Sequence, residues 1–198
     1  MEFDFENLPD GKKLFFASDF HLGAESDEKS LDREKRIIRW LESIEDKAAG
    51  IFFVGDIFDF WFEYKHVIPK GFIRFQGKLA NLRDAGIPLF FFRGNHDMWM
   101  FEYFEKELQI PIFSDPIAFE FHSKRFYLGH GDGLGPGDSF YKLLKIFFRS
   151  RLCQWIFKWL HPNIGIGIAQ AWSKKSRLSK KGGRTARSFG EKEWLYQH

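Results

Sequence analysis

"LFFFRGNHDMW", residues 89–99, sets a wholly apolar run against a polar cluster of Asn95, His96 and Asp97. A short, continuous apolar run bounded by glycine and polar residues reads as a buried strand. Its polar tail therefore falls at the strand's carboxyl end. One such tail is ordinary turn chemistry, because Asn, Asp and Gly dominate turns for conformational reasons. The pattern recurs, however: "ASDFHLG" carries Asp19 and His21, "VGDIFDFW" carries Asp56 and Asp59, and "LGHGDG" carries His130 and Asp132. Four such tails in order are not explained by turn formation alone, and in open α/β sheets ligands bind outside the carboxyl ends of the strands.

The elements between these tails support that layout. Leu14–Ala17, Ile51–Val54 and Leu89–Phe92 read as strands. Glu28–Lys47 places Leu31, Ile37, Ile38, Leu41 and Ile44 near helical spacing, and Phe72–Ala85 repeats the pattern before Gly86. Strand alternating with helix is an α/β arrangement around a largely parallel sheet. After Pro116, "IAFEF" and "RFYLGH" read as a hairpin around His122, Ser123 and Lys124. From Phe140 to about Leu160 the chain is densely apolar, aromatic and helical in pattern. Gly165 and Gly167 then suggest a break, a further short helix and a flexible basic stretch.

The 198 residues suit one domain, or one domain with a sizeable insertion. Twenty-six are phenylalanine, which implies a Phe-rich core or a surface that meets something apolar. A single cysteine, Cys153, excludes an intrachain disulfide framework, and no run of 18 or more uncharged apolar residues is present to span a bilayer. The acidic N-terminus, MEFDFENLPDGKK, carries no secretory h-region. The net charge of +3 conceals two electrostatic halves: Ser139–Gly190 holds twelve Lys or Arg and no Asp or Glu, leaving 18 basic against 27 acidic residues elsewhere.

Carboxylate, imidazole and amide oxygen together suit borderline divalent ions such as Mn²⁺, Fe²⁺ or Zn²⁺ better than calcium. D-x-H, GD-x-x-D, GNHD and GH-G-D in this order, over residues 13 to about 138, resemble the calcineurin-like metallophosphoesterase superfamily. That resemblance implies an α/β fold of two mixed sheets flanked by helices, with a helical cap insertion, and a site for two divalent ions. Asp19 and His21 would hold one ion, Asp56 would bridge both, and Asn95 and His130 would hold the second. His96, with Asp56 the expected catalytic pair, would donate to a phosphate oxygen or leaving group. Mn²⁺ is the ion expected, with Fe²⁺ and Zn²⁺ as alternatives; two such ions about 3.5–4 Å apart clamp a phosphate and activate water.

A narrower likeness lies in "GDIFDFW" and "HGDGLGPGD", which are similar to the UDP-2,3-diacylglucosamine pyrophosphohydrolases of lipid A synthesis. It implies hydrolysis to 2,3-diacylglucosamine 1-phosphate and UMP, with Asp138 on the sugar and Ser176 and Lys180 of the cap on the head group or phosphate, beside Asn95 and His96. The expected divisions are a core over 1–138, a basic, aromatic-rich cap over 139–187 that covers the acyl chains, and a return to the core over 188–198. Twelve cations among Phe, Trp and Leu suit a diphosphate and anionic lipid head groups. A UDP-linked diacylated lipid and the inner face of a bacterial inner membrane are thus the expected partners of a cytoplasmic, peripherally bound protein, and nucleic acid is not expected. The competing readings are a phosphodiesterase or nuclease gripping a phosphate backbone with its basic stretch, and an interaction scaffold with an incomplete metal site. Two departures qualify the likeness. GNHD replaces the GNRD of the best-known diacylglucosamine branch, and no H-x-H follows the cap, so the expectation is a chain that ends before its closing GH-x-H motif.

Overall fold

Successive side chains of a strand point to opposite faces, so an unbroken run of phenylalanines must be covered on both. The central strand, β2 (Ala48–Val54), has Ile51, Phe52 and Phe53 all fully buried. The computed structural model describes residues 8–24, 26–121, 124–132 and 139–182. Within them β1 (Lys13–Ala17), β2, β3 (Leu89–Phe92) and β4 (Ile112–Phe113) form a parallel sheet in the order β1-β2-β3-β4. Two helices make the crossovers, α1 (Asp27–Ile44) between β1 and β2 and α2 (Ile73–Asp84) between β2 and β3. A short α3 (Tyr103–Leu108) precedes β4.

Helical spacing delivers Ile37, Leu41 and Ile44 of α1 and Phe75, Leu79 and Leu82 of α2 to one face of the sheet, where they pack with Phe53 and Phe91. Phe104 of α3 joins them, its ring edge-on to Phe91 at 4.9 Å. The opposite face is built from Phe52, Val54, Phe90 and Phe92, with Phe16 stacked on Phe52 at 5.0 Å and Phe52 on Phe90 at 4.5 Å. The hairpin of β5 (Ile117–Phe121) and β6 (Lys124–Leu128) forms an antiparallel pair, and its Ile117 and Leu128 pack against this second cluster. The expected calcineurin-like α/β class thus takes the form of a parallel four-stranded sheet, flanked by helices, and an antiparallel pair. Because β1, β2 and β3 run in one direction, the segments 18–22, 55–61 and 93–100 leave the same edge of the sheet.

The chain divides into two compact units: Met1–Glu63 with Ile68–His130, and Tyr64–Val67 with Gly131–His198. The second contains α4 (Ser139–Arg149), α5 (Arg151–Trp159) and α6 (Pro162–Gly182). Two expectations are corrected here. The helical stretch over 140–160 is split at Ser150, whose backbone is extended and whose hydroxyl accepts the Cys153 N–H at 3.2 Å, a side-chain cap that starts a new helix. Gly165 and Gly167 do not break the chain, and the basic residues 174–182 continue α6. Gly165 serves close approach, since a Cβ there would lie 2.6 Å from the Tyr64 hydroxyl and 3.0 Å from the Phe157 ring. Leu143, Ile146, Phe147, Leu152, Trp155, Ile156, Trp159 and Trp172 of these helices are each more than half exposed. No helix among the described residues is long and apolar enough to cross a membrane.

Phe53 is fully buried against Phe20, Phe75 and Phe91. Phe53→Ala is expected to lower unfolding stability by about 3–5 kcal/mol, as measured by denaturant titration.

Candidate metal centre

Backbone hydrogen bonds lay the loop after β1 alongside the loop after β2: Asp19 N–H donates to Gly55 C=O at 3.1 Å, His21 N–H to Asp56 C=O at 2.9 Å and Leu22 N–H to Ile57 C=O at 2.9 Å. The loop after β3 is tied to the same segment by Asp97. Its fully buried carboxylate accepts N–H groups from Gly94 (2.7 Å), Asp56 (3.2 Å), Ile57 (2.7 Å) and Phe58 (3.3 Å). Gly94 is required by the closeness of this approach, because a Cβ on it would run into the backbone and carboxylate of Asp56. The clamp is reciprocal. Glu63, from the end of the Asp56 loop, accepts N–H groups from Phe101 (2.8 Å), Glu102 (2.7 Å) and Tyr103 (3.0 Å), and the Trp61 indole N–H at 3.2 Å.

These ties bring Asp19, His21, Asp56, Asn95, His96 and His130 together. Ligating atoms of His21, Asp56 and His96 lie within 4.8 Å of one another, as do those of Asp19, Asp56 and His130. Asp56 belongs to both groups. His21 Nε2 is 3.8 Å from both Asp19 Oδ1 and Asp56 Oδ2, and His130 Nε2 is 3.3 Å from Asp56 Oδ2 and 3.4 Å from Asn95 Oδ1. Asp19 thus stands in a group with His130 as well as beside His21, and His96 stands in a group with His21.

Imidazole orientation tests whether a cation fits. His130 Nδ1 stands 3.0 Å from the Val54 carbonyl, which can only accept, so Nδ1 carries the hydrogen. In the neutral ring, Nε2 then directs a lone pair toward two further oxygens, an arrangement relieved by a cation between them. Ligands about 2.0–2.2 Å from one ion stand roughly 3–4 Å apart, and these separations match. His96 is held likewise, its Nδ1 3.0 Å from the Asp59 carbonyl, so in the neutral ring Nε2 carries the lone pair. Asp59 Oδ1 lies 3.6 Å from Nδ1 of both His21 and His96, beyond hydrogen-bond reach of either ring.

Electrostatics follow this geometry. The Asp19 carboxyl is drawn down to about 2, chiefly by His21, with the Ser18 hydroxyl donating to Oδ2 at 2.5 Å. Burial pushes the Asp56 carboxyl upward, but hydrogen bonding to and the charge of His130, with His96, outweigh it, and its net shift is downward. Asp97 is raised to about 6 by burial and by the charge of Asp56, against the pull of its backbone donors.

Other expected residues fall elsewhere. Asp138 lies outside the described residues, and Ser176 and Lys180 stand on α6 with their side chains outside them. Arg93, beside the loop, sets its guanidinium over the Phe101 ring at 5.7 Å and donates to the Phe101 carbonyl at 3.5 Å. Asp132 pairs with Lys145 of α4 at 2.7 Å. Glu63 and Arg33, which hold the loops, carried no signal in the sequence: each acts on backbone groups that no motif specifies.

Asp97→Asn turns an amide N–H₂ toward backbone donors and is expected to cost about 1–3 kcal/mol at neutral pH. Since the folded-state value of Asp97, about 6, exceeds the ordinary 3.8, its contribution to stability is full below the lower value and is lost as pH rises through the higher one. The stability gap between wild type and Asp97→Asn, followed by denaturation of metal-free protein, should narrow from pH 4 to 6.

A model of the calcineurin-like phosphoesterase family matches residues 12–193. The UDP-2,3-diacylglucosamine hydrolase of Porphyromonas gingivalis is 41% identical over 172 residues, covering 84% of this chain and 64% of the relative. That of Aeromonas hydrophila is 29% identical over 166 residues, covering 82% and 64%. The chain thus spans just under two thirds of the length of these curated relatives. A crystal structure of a protein of unknown function from Aquifex aeolicus superposes with a TM-score of 0.43 at 16% identity, covering 68% of this chain and 71% of that one. With its Asp19–His21, Asp56, Asn95–His96 and His130 segments gathered at one edge of a parallel sheet, and a family match running over nearly its whole length, the chain belongs to the calcineurin-like phosphoesterase family.

Proposed function

We propose that this protein is a metal-dependent pyrophosphohydrolase that adds water across the pyrophosphate of UDP-2,3-diacylglucosamine, giving 2,3-diacylglucosamine 1-phosphate and UMP, in lipid A biosynthesis. The observation that carries this reading is the Asp56-centred cluster of carboxylate, imidazole and amide oxygen atoms, in a chain 41% identical to a UDP-2,3-diacylglucosamine hydrolase.

Asp19 and His21 would hold one divalent ion and Asn95 and His130 a second, with Asp56 shared; Mn²⁺ is the first choice, then Fe²⁺ or Zn²⁺. Bound there, the ions would supply Lewis-acid stabilisation of phosphoryl charge and lower the pKa of water. The chain's own part is positional and acid–base. Asp59 fixes the His96 ring through its carbonyl, so a protonated His96 presents Nε2–H to a phosphate oxygen or to the departing group. Asn95, beside it, would orient the same phosphate. Asp138, Ser176 and Lys180 remain the proposed contacts to sugar and head group, within a division into core (1–138), basic insertion (139–187) and return segment (188–198).

The second unit supports the lipid side of this reading. Its exposed Ile146, Phe147, Trp155 and Trp159 alternate with cations in a stretch without acidic residues, a composition suited to acyl chains and to the anionic inner face of a bacterial membrane. The protein would lie on that surface from the cytoplasmic side.

Incubation with UDP-2,3-diacylglucosamine and Mn²⁺ is expected to release UMP, with His96→Gln slowing turnover about 10²–10⁴-fold. Hydrolysis of bis(p-nitrophenyl) phosphate without any UMP from the lipid would overturn the substrate while leaving a phosphodiesterase. The protein is also expected to co-sediment with phosphatidylglycerol-containing vesicles, and Ile146→Ser combined with Trp159→Ser should weaken that binding about tenfold or more. Unchanged sedimentation of the double variant would remove these helices from the membrane contact.

A further inference from the structure

Three non-glycine residues of the cluster have left-handed backbones: Asp19 at φ 58°, His21 at φ 45° and Asp56 at φ 54°. An L-residue in this region is strained and persists where its surroundings over-determine it. For Asp19 and His21 the N–H groups are held by the neighbouring loop, as described above. For His21 the carbonyl side is held as well, by α1.

Arg33, in the second turn of α1, donates Nη1 to the carbonyls of both His21 (3.0 Å) and Phe20 (3.3 Å). One turn earlier, the Ser30 hydroxyl accepts the Gly23 N–H at 3.0 Å. The guanidinium therefore grips the peptide units on either side of the His21 Cα, which fixes the two dihedrals that aim its imidazole. If φ of His21 relaxed to its ordinary negative range, the ring would leave its place 3.8 Å from both Asp19 and Asp56. Both bonds leave the one nitrogen, Nη1, whose hydrogens are held in the rigid guanidinium plane, whereas a lysine ammonium on its flexible stem has no such fixed plane.

We propose that Arg33 is a positioning residue for the His21 half of the metal centre, locking His21 in its left-handed conformation through the carbonyls of Phe20 and His21. This rests on the dinuclear reading given above, and it assigns a role to a residue outside every motif of the sequence. The sign of its effect is diagnostic. Removing a cation near a metal site by itself strengthens divalent-ion binding, because like charges repel. Loss of positioning weakens it, and at one ion of the two.

The test is a calorimetric Mn²⁺ titration of metal-free wild type, Arg33→Met, Arg33→Lys and Arg36→Met, with the thermal midpoint of each metal-free protein measured alongside. Wild type is expected to bind two ions. Arg33→Met should lose about tenfold or more in affinity at one of them and keep the other, with Arg33→Lys intermediate and Arg36→Met, a solvent-exposed charge on the same helix, unchanged. Tighter or unaltered binding by Arg33→Met overturns the proposal and leaves the metal centre standing. Equal weakening at both ions together with a lowered metal-free midpoint also overturns it, since that is the mark of general loosening. Wild type binding no ion overturns the dinuclear reading and this role with it. Should Arg33→Met fail to fold, Arg33→Gln, with an amide donor on a shorter arm, is judged by the same titration against the same outcomes.

Discussion

The carboxylate of Asp97 meets four backbone N–H groups drawn from two different loops. A parallel sheet guarantees that its strand ends emerge on one edge, but it does not set the relative height or rotation of the loops that follow. Side-chain carboxylates do that here. Asp97 registers the Asn95–His96 segment against Asp56 at the near end, and Glu63 registers the same two loops at the far end. Hydrogen bonds to a buried anion are among the stronger ones available, and leaving those N–H groups unmet in the interior would be costly. Asp56, Asn95 and His96 therefore stand on segments with little freedom of their own.

The two units divide the chemistry between them. The first concentrates acidic and imidazole side chains into one small volume, with the Asp56 carboxyl kept ionised by its histidines. The second is wholly basic over Ser139–Gly190 and turns large apolar side chains outward. The substrate proposed above has a diphosphate at one end and acyl chains at the other, and each composition by itself suits one of these parts.

Much of this was legible in the sequence because period and punctuation coincide with burial. Leu89–Phe92 is apolar, short and bounded, and it is a strand with those limits; Gly86 marks the end of α2 within two residues. The convergence of Asp19, His21, Asp56, Asn95, His96 and His130 was legible too, since each follows a predicted strand. Other features were not, and for physical reasons. Arg33 and Glu63 act through carbonyls and N–H groups, which every residue carries and no pattern advertises. Gly165 was misread as a break because a glycine inside a helix looks identical in sequence whether it frees the backbone or admits the Tyr64 hydroxyl and the Phe157 ring. The split at Ser150 depended on a capping bond within an otherwise uninterrupted apolar pattern.

The left-handed backbones of Asp19, His21 and Asp56 have an evolutionary corollary. Glycine and asparagine tolerate that conformation better than histidine does, and a site that crowds carboxylates into a buried space is itself a source of instability. Selection for folding alone would therefore act against the residues the chemistry needs. At these three positions backbone ease and the supply of donor atoms thus pull in opposite directions: an asparagine or glycine would relax the chain and take a carboxylate or an imidazole out of the cluster.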